Sequence, residues 1–222
     1  MKLSEAMRER MLLSFELFPP KTEKGMDNLP GTIDHLMKYK PAYISCTYGA
    51  GGGNVGANRE VCQMIKKAGT TPVTHFTVIK NTKEGIKEQL DQYLADGVDH
   101  MLALRGDIPL GETTTCGDFD YATDLVKFVR DTCGDKFEIA VAGSPEGHIS
   151  CRSLESDIAV LKQKQDNGAD YIMTQLCWDM EQFKYWLDAI RKAGITMPVD
   201  VGVMPILDQA ATINMALSRN GW

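Results

Sequence analysis

Apolar residues along the chain fall into short, nearly unbroken runs, separated by longer stretches in which they recur every three or four positions. The runs begin near Leu12, Ala42, Pro72, His100, Phe137, Asp170 and Val199. Each is strand-length and is followed by a helical pattern, the mark of parallel strands buried on both faces. Leu12–Phe18 stops at Pro19-Pro20, and a helix follows from about Met26 to Tyr39. Tyr43–Tyr48 opens into Gly49-Ala50-Gly51-Gly52-Gly53, and the next helix carries Val61, Met64 and Ile65 on one face. Val73–Val78 leads to a helix capped by Asn81 or Thr82 and ended at Gly97. His100–Leu104 passes through a longer loop to a helix from Tyr121 to Arg130. Glu138–Ala142 precedes a helix over Ser153–Gln165, with Asn167-Gly168 as its C-cap. Tyr171–Gln175 precedes a helix over Glu181–Lys192, and Val199–Val203 precedes a pattern from about Asp208 to Arg219.

These βα repeats, with no hairpin signal among them, predict an α/β fold. The expectation is one (β/α)₈ barrel domain over residues 1–222 that lacks its eighth βα unit. A doubly wound open sheet is the alternative, weakened because no Gly-x-Gly-x-x-Gly follows the first strand. In both architectures ligands sit at the carboxyl ends of the strands.

Composition narrows the function classes. The 222 residues are 43% hydrophobic and 24% charged, enough for a sizeable core. A net charge of −6 without a basic block argues against a nucleic-acid partner. No apolar run is long enough to span a membrane, and Met1–Arg10 is a charged amphipathic start rather than a signal peptide. The six cysteines form no Cys-x-x-Cys pair, so no metal site is expected and a reducing cytoplasm is the default location.

The chemistry gathers at strand ends. Ala103-Leu104-Arg105-Gly106-Asp107 breaks an apolar run with planar donors, a backbone free to approach a ligand, and a carboxylate. Period two places Ser14 and Glu16 opposite Leu13, Phe15 and Leu17, so Glu16 points into the barrel. There it is either paired with a lysine or histidine, or a general acid kept protonated by burial. His75 and Thr77 share a face, Thr47 and Gln175 close their strands, and His148 lies on a ligand-side turn. Asp157 and Lys164, seven apart, share a helix face. Gly51-Gly52-Gly53 could cradle a phosphate but lacks the Lys-Ser/Thr of a P-loop. Met180, Phe183, Tyr185 and Trp186 have the spacing of packing residues.

Five motifs occur in order: Ser14-Phe15-Glu16-Leu17-Phe18-Pro19-Pro20-Lys21, Thr47-Tyr48-Gly49-Ala50, Ala103–Asp107, Pro145-Glu146-Gly147-His148 and Thr174-Gln175. With them the chain closely resembles the methylenetetrahydrofolate reductase family over essentially its whole length. The resemblance implies a flavoenzyme that takes hydride from NADH or NADPH onto FAD. It then reduces 5,10-methylenetetrahydrofolate to 5-methyltetrahydrofolate. It assigns catalytic roles to Glu16 as the general acid that opens the methylene bridge, Asp107 beside flavin and pterin, and Gln175 on the pterin and nicotinamide. It assigns flavin contacts to Thr47, His75, Arg105, Gly106, Asp107, Tyr121, Ala122, Ala142, His148, Asp157 and Lys164.

The chain departs from the family pattern at Ser144, Val160, Gln163 and Gln209, which replace aromatic, polar or basic contacts, and in stopping at Trp222. Seven strands would leave the first and the seventh with free edges, and Glu16 near water. Association into a homo-oligomer, or completion by a partner chain, is then expected. The alternative function is an inactive or partner-dependent barrel that binds flavin or folate without turnover. An unrelated barrel aldolase would want a strand-end Schiff-base lysine, and none is evident.

Overall fold

A computed structural model describes residues 2–48, 55–108, 111–148, 151–204, 206–210, 212 and 213. The chain enters through a short helix, α1 (Leu3–Glu9), and then alternates strands and helices: β1 (Ser14–Leu17), α2 (Glu23–Met37), β2 (Tyr43–Cys46), α3 (Val55–Lys67), β3 (Thr71–Thr77), α4 (Lys83–Ala95), β4 (His100–Leu104), α5 (Ala122–Cys133), β5 (Glu138–Gly143), α6 (Leu154–Asp166), β6 (Tyr171–Thr174), α7 (Met180–Lys192) and β7 (Val199–Asp200). The strands form one seven-stranded parallel sheet in chain order. It is curled as a (β/α) barrel is, because Asp200 on β7 accepts a hydrogen bond from the Ser14 hydroxyl of β1 at 3.2 Å and from the Tyr43 phenol of β2.

Alternation along the strands sorts side chains into two layers. Ile44, Cys46, Phe76, Met101, Ala103, Ile139, Val141 and Ile172 pack outward on the helices, with Ile33, Val61, Ile65, Leu90, Val129 and Trp186 facing them. Tyr43, Val73, Leu102, Ala140 and Tyr171 fill the inside, where Leu3 of α1 joins them. Phe183 and Trp186 are core residues as expected, whereas Met180 and Tyr185, on the same helix, are exposed. Local chemistry explains the helix ends. Thr22, Thr82, Ser153 and Asp179 accept hydrogen bonds from first-turn amides, and Gly97, Gly168 and Gly194 take positive φ just past the last turn.

Helix α1 closes the amino-terminal end of the barrel. The Leu3 and Ser4 amides each donate to the Glu138 carboxylate at 2.7 Å, and His100 Nε2 lies 3.0 Å from the same group. The charged start seen in the sequence is thus a plug fixed from β5. The seventh strand is shorter than Val199–Val203: Val201 and Val203 are exposed, and the Gly202 amide donates to the Thr174 hydroxyl at 3.0 Å instead of extending the ladder. The Gly49–Gly53 run and most of the 208–219 pattern lie outside the described residues. Among the described residues, no helix is long and apolar enough to cross a membrane.

A candidate active site at the carboxyl ends of the strands

All strands run the same way, so the residues closing them meet at one end of the barrel. Glu16 on β1 faces inward, as period two requires, and its Oε2 lies 3.4 Å from Nε2 of the buried His75 on β3. Of the two expectations for Glu16, burial does not hold and nearness to water does: its side chain is 44% exposed, on a strand that pairs only with β2 among the described residues. Glu16 therefore has both a histidine beside it and access to water. Beside this pair, Thr77 Oγ1 and Ser45 Oγ are buried without a hydrogen-bond partner. Unsatisfied polar atoms held away from water are costly, and they cluster here on inward-facing positions of β2 and β3.

The strand ends are fixed by backbone and amide bonds. The Thr47 amide donates to the Leu17 carbonyl at 2.9 Å, and the Gln175 amide to the Gly143 carbonyl at 2.8 Å. Asn81 Nδ2 donates to the Thr77 carbonyl, Gln89 to Asn81, and the Tyr48 phenol to Gln89, which anchors the end of β3 to α4. Gly106 has φ +89°, and a Cβ there would stand 3.1 Å from Ile79 and Thr77. Glycine is therefore required where Arg105 and Asp107 leave β4. The Gln175 side chain and Asp107 are exposed at this rim.

A charged cluster forms the other side. Lys164 Nζ on α6 donates to the Ala142 carbonyl at 3.0 Å, and burial lowers its pKa against the pull of Asp157. His148 on the β5–α6 loop has its pKa lowered chiefly by burial, with Lys164 and Arg105 adding to the effect and Asp157 opposing it. Arg105, His148, Asp157 and Lys164 thus act on one another electrostatically, as the shared face of Asp157 and Lys164 suggested. Cys151, whose thiol donates to Asp157 at 3.6 Å, belongs to the same cluster. Tyr121 and Ala122 open α5 on this side, with the Tyr121 ring exposed. Ser144, Val160, Gln163 and Gln209 supply no buried charge, and Val160, Gln163 and Gln209 are exposed. Among the described residues, no group of acidic, histidine or cysteine side chains could hold a metal ion.

The sequence reading missed Asn58. It occupies the apolar stripe of α3 with Val61, Cys62 and Ile65, at helical spacing, and a polar residue in such a stripe was the available signal.

Known proteins agree with this architecture. The family model described as methylenetetrahydrofolate reductase matches residues 2–218. A rice protein named "Probable methylenetetrahydrofolate reductase (NADH)" is 36% identical over 96% of this chain and 38% of its own length. The Escherichia coli "5,10-methylenetetrahydrofolate reductase" is 34% identical over 87% of this chain and 64% of its own. This chain therefore spans well under half of the plant relative and just under two thirds of the bacterial one. A solved Clostridium thermocellum protein, described as binding two copies of 5-methyl-5,6,7,8-tetrahydrofolic acid, superposes with a TM-score of 0.66. It does so at 14% identity, over 90% of this chain and 68% of its own, which supports the fold alone. From the extent of the family match and the identity to these relatives, the chain belongs to the methylenetetrahydrofolate reductase family.

Proposed function

We propose that this chain carries the flavin-dependent reduction of 5,10-methylenetetrahydrofolate to 5-methyltetrahydrofolate, with NADH or NADPH as reductant. The observation that carries the reading is the meeting, at one barrel end, of an accessible acid paired with histidine and a cluster of cations, in a member of this family. The residues present fit FAD. Thr77 Oγ1 is a buried polar atom in want of a partner, Gly106 brings backbone close, and Arg105 and Lys164 match a diphosphate. Bound there, FAD supplies the hydride relay between nicotinamide and pterin.

The chain's own groups do the rest. Lys164 and Arg105 hold the diphosphate, and Asp157 opposes the effect of burial on the Lys164 ammonium. Thr47, Tyr121, Ala122, Ala142 and His148 complete the flavin's surroundings. Glu16 gives its proton to a bridge nitrogen of the folate as the methylene C–N bond breaks, and its exposure lets water return that proton. Gln175 orients the pterin by its side-chain amide, and Asp107 stands beside both ring systems. The names of the rice and Arabidopsis relatives include NADH, which makes it the first reductant to try. The test is the visible spectrum of the purified chain. Flavin absorbance that bleaches with NADH or NADPH and returns with methylenetetrahydrofolate supports the reading. A protein that takes up no FAD when it is added in excess overturns it.

A further inference from the structure

Asn58 is fully buried, at 0% exposure, and its amide is engaged at both ends. Nδ2 donates to the carbonyls of Cys46 at 3.0 Å and Thr47 at 3.1 Å, at the carboxyl end of β2. Oδ1 accepts from the Thr74 hydroxyl of β3 at 2.7 Å and the Tyr93 phenol of α4 at 2.8 Å, and more weakly from the Cys62 thiol at 3.6 Å. The two carbonyls, which can only accept, fix which way the amide faces. Turned over, Oδ1 would oppose two carbonyl oxygens with no donor to meet it. Its stripe neighbours Val61 and Ile65 pack as plain hydrocarbon, so the position does not need an amide to fill space.

We propose that Asn58 is a positioning residue of the strand-end site, one that sets the path of Thr47 and, through it, the presentation of Glu16. The Thr47 carbonyl is held by Asn58, and the Thr47 amide is held by the carbonyl of Leu17, the residue next to Glu16. The backbone of Thr47 is therefore clamped on both sides, and the clamp runs from α4 and β3 through one amide to the first two strands. The role of Thr47 toward flavin rests on the function proposed above, whereas the clamp stands on the geometry alone.

The test uses the whole chain and Asn58→Asp, which keeps an acceptor toward Thr74 and Tyr93 but sets a second oxygen against the two carbonyls. FAD affinity should fall about ten-fold or more, as small misplacements at a site do. Amide exchange should accelerate in the segment Cys46–Tyr48 while His100–Leu104 and Glu138–Gly143 stay as protected as before. Tyr93→Phe, which leaves the clamp and one hydroxyl donor, should cost less than about three-fold. If Asn58→Asp does not fold, the double change Thr74→Val with Tyr93→Phe, which leaves Oδ1 only the weak Cys62 thiol, should give the same local signature. Unchanged FAD affinity, or exchange raised evenly over the barrel, overturns the proposal. If the unaltered chain itself takes up no FAD, the flavin reading falls and the exchange pattern alone decides the role of Asn58.

Discussion

Glu16 Oε2 on β1 and His75 Nε2 on β3 approach to 3.4 Å across the width of β2. The pair joins a half-exposed acid to a buried base. At the rim it has histidine on one side and water on the other.

Lys164 should matter for the diphosphate half of FAD rather than for the ring. Lys164→Met removes the ammonium that donates to the Ala142 carbonyl near Asp157. We expect FAD binding to weaken by about 2 kcal/mol or more, the cost of truncating one partner of a buried charge pair. Riboflavin, which lacks the diphosphate, should bind as before. Isothermal titration with both ligands checks this, and equal losses for the two would remove Lys164 from the diphosphate.

Asp107 is exposed beside Gly106, and its negative charge should oppose an anionic reduced flavin. Asp107→Asn is expected to raise the flavin potential by about 20 mV, the two-electron equivalent of ~1 kcal/mol of Coulomb energy. A redox titration that shows no rise would place Asp107 away from the ring.

The barrel plug should respond to pH. Burial opposes the charge on His100, but the Asp99 and Glu138 carboxylates outweigh it and push its pKa up to about 9. Burial likewise opposes the charge on Glu138, but His100, Ser4 and Leu3 outweigh it and hold its pKa down to about 2. A histidine raised on folding stabilises fully below its unfolded value of 6.5, and that contribution is lost as pH rises through about 9. The depressed carboxyl stabilises above 4.5 and loses this as pH falls toward 2. Urea unfolding should therefore show stability falling between pH 6.5 and pH 9. Glu138→Gln should lower stability by about 3 kcal/mol, as breaking a buried pair does, and make that fall shallower. An unchanged pH slope in the variant would contradict the latch.

Much of this was legible in the sequence, for physical reasons that differ by residue. The strands through Ile44, Met101 and Ile139 are buried on both sides, so their apolar runs stand out without any partner being known. Gly97, Gly168 and Gly194 mark helix ends because positive φ is a local requirement. What stayed hidden depends on contacts distant in sequence. Glu138 reads as an ordinary strand start until the Leu3 and Ser4 amides are seen on it. Asn58 reads as one polar residue until Thr47, Thr74 and Tyr93 converge on it. Alternation gives the inward direction of Glu16, and the expected free edge of β1 its contact with water.

Close packing behind the site offers a check on the fold itself. A Cβ on Gly143 would stand 2.6 Å from Ile172 and 3.0 Å from the buried Trp186 ring. Gly143→Ala should destabilise the chain by about 1–3 kcal/mol, the usual cost of overpacking, as read by denaturant unfolding. A neutral result would mean that β5, β6 and α7 are not packed as described.

The division of labour at the barrel rim is tested most directly by stopped-flow absorbance on Glu16→Gln loaded with FAD, following each half-reaction separately. Reduction of the flavin by NADH or NADPH should proceed at nearly the unaltered rate, since that step needs no proton from Glu16. Reoxidation by methylenetetrahydrofolate should slow by a factor on the order of 10² or more, the range for loss of a general acid. Equal slowing of both steps, or reoxidation at full speed, would contradict the assignment of Glu16 as the proton donor to the folate.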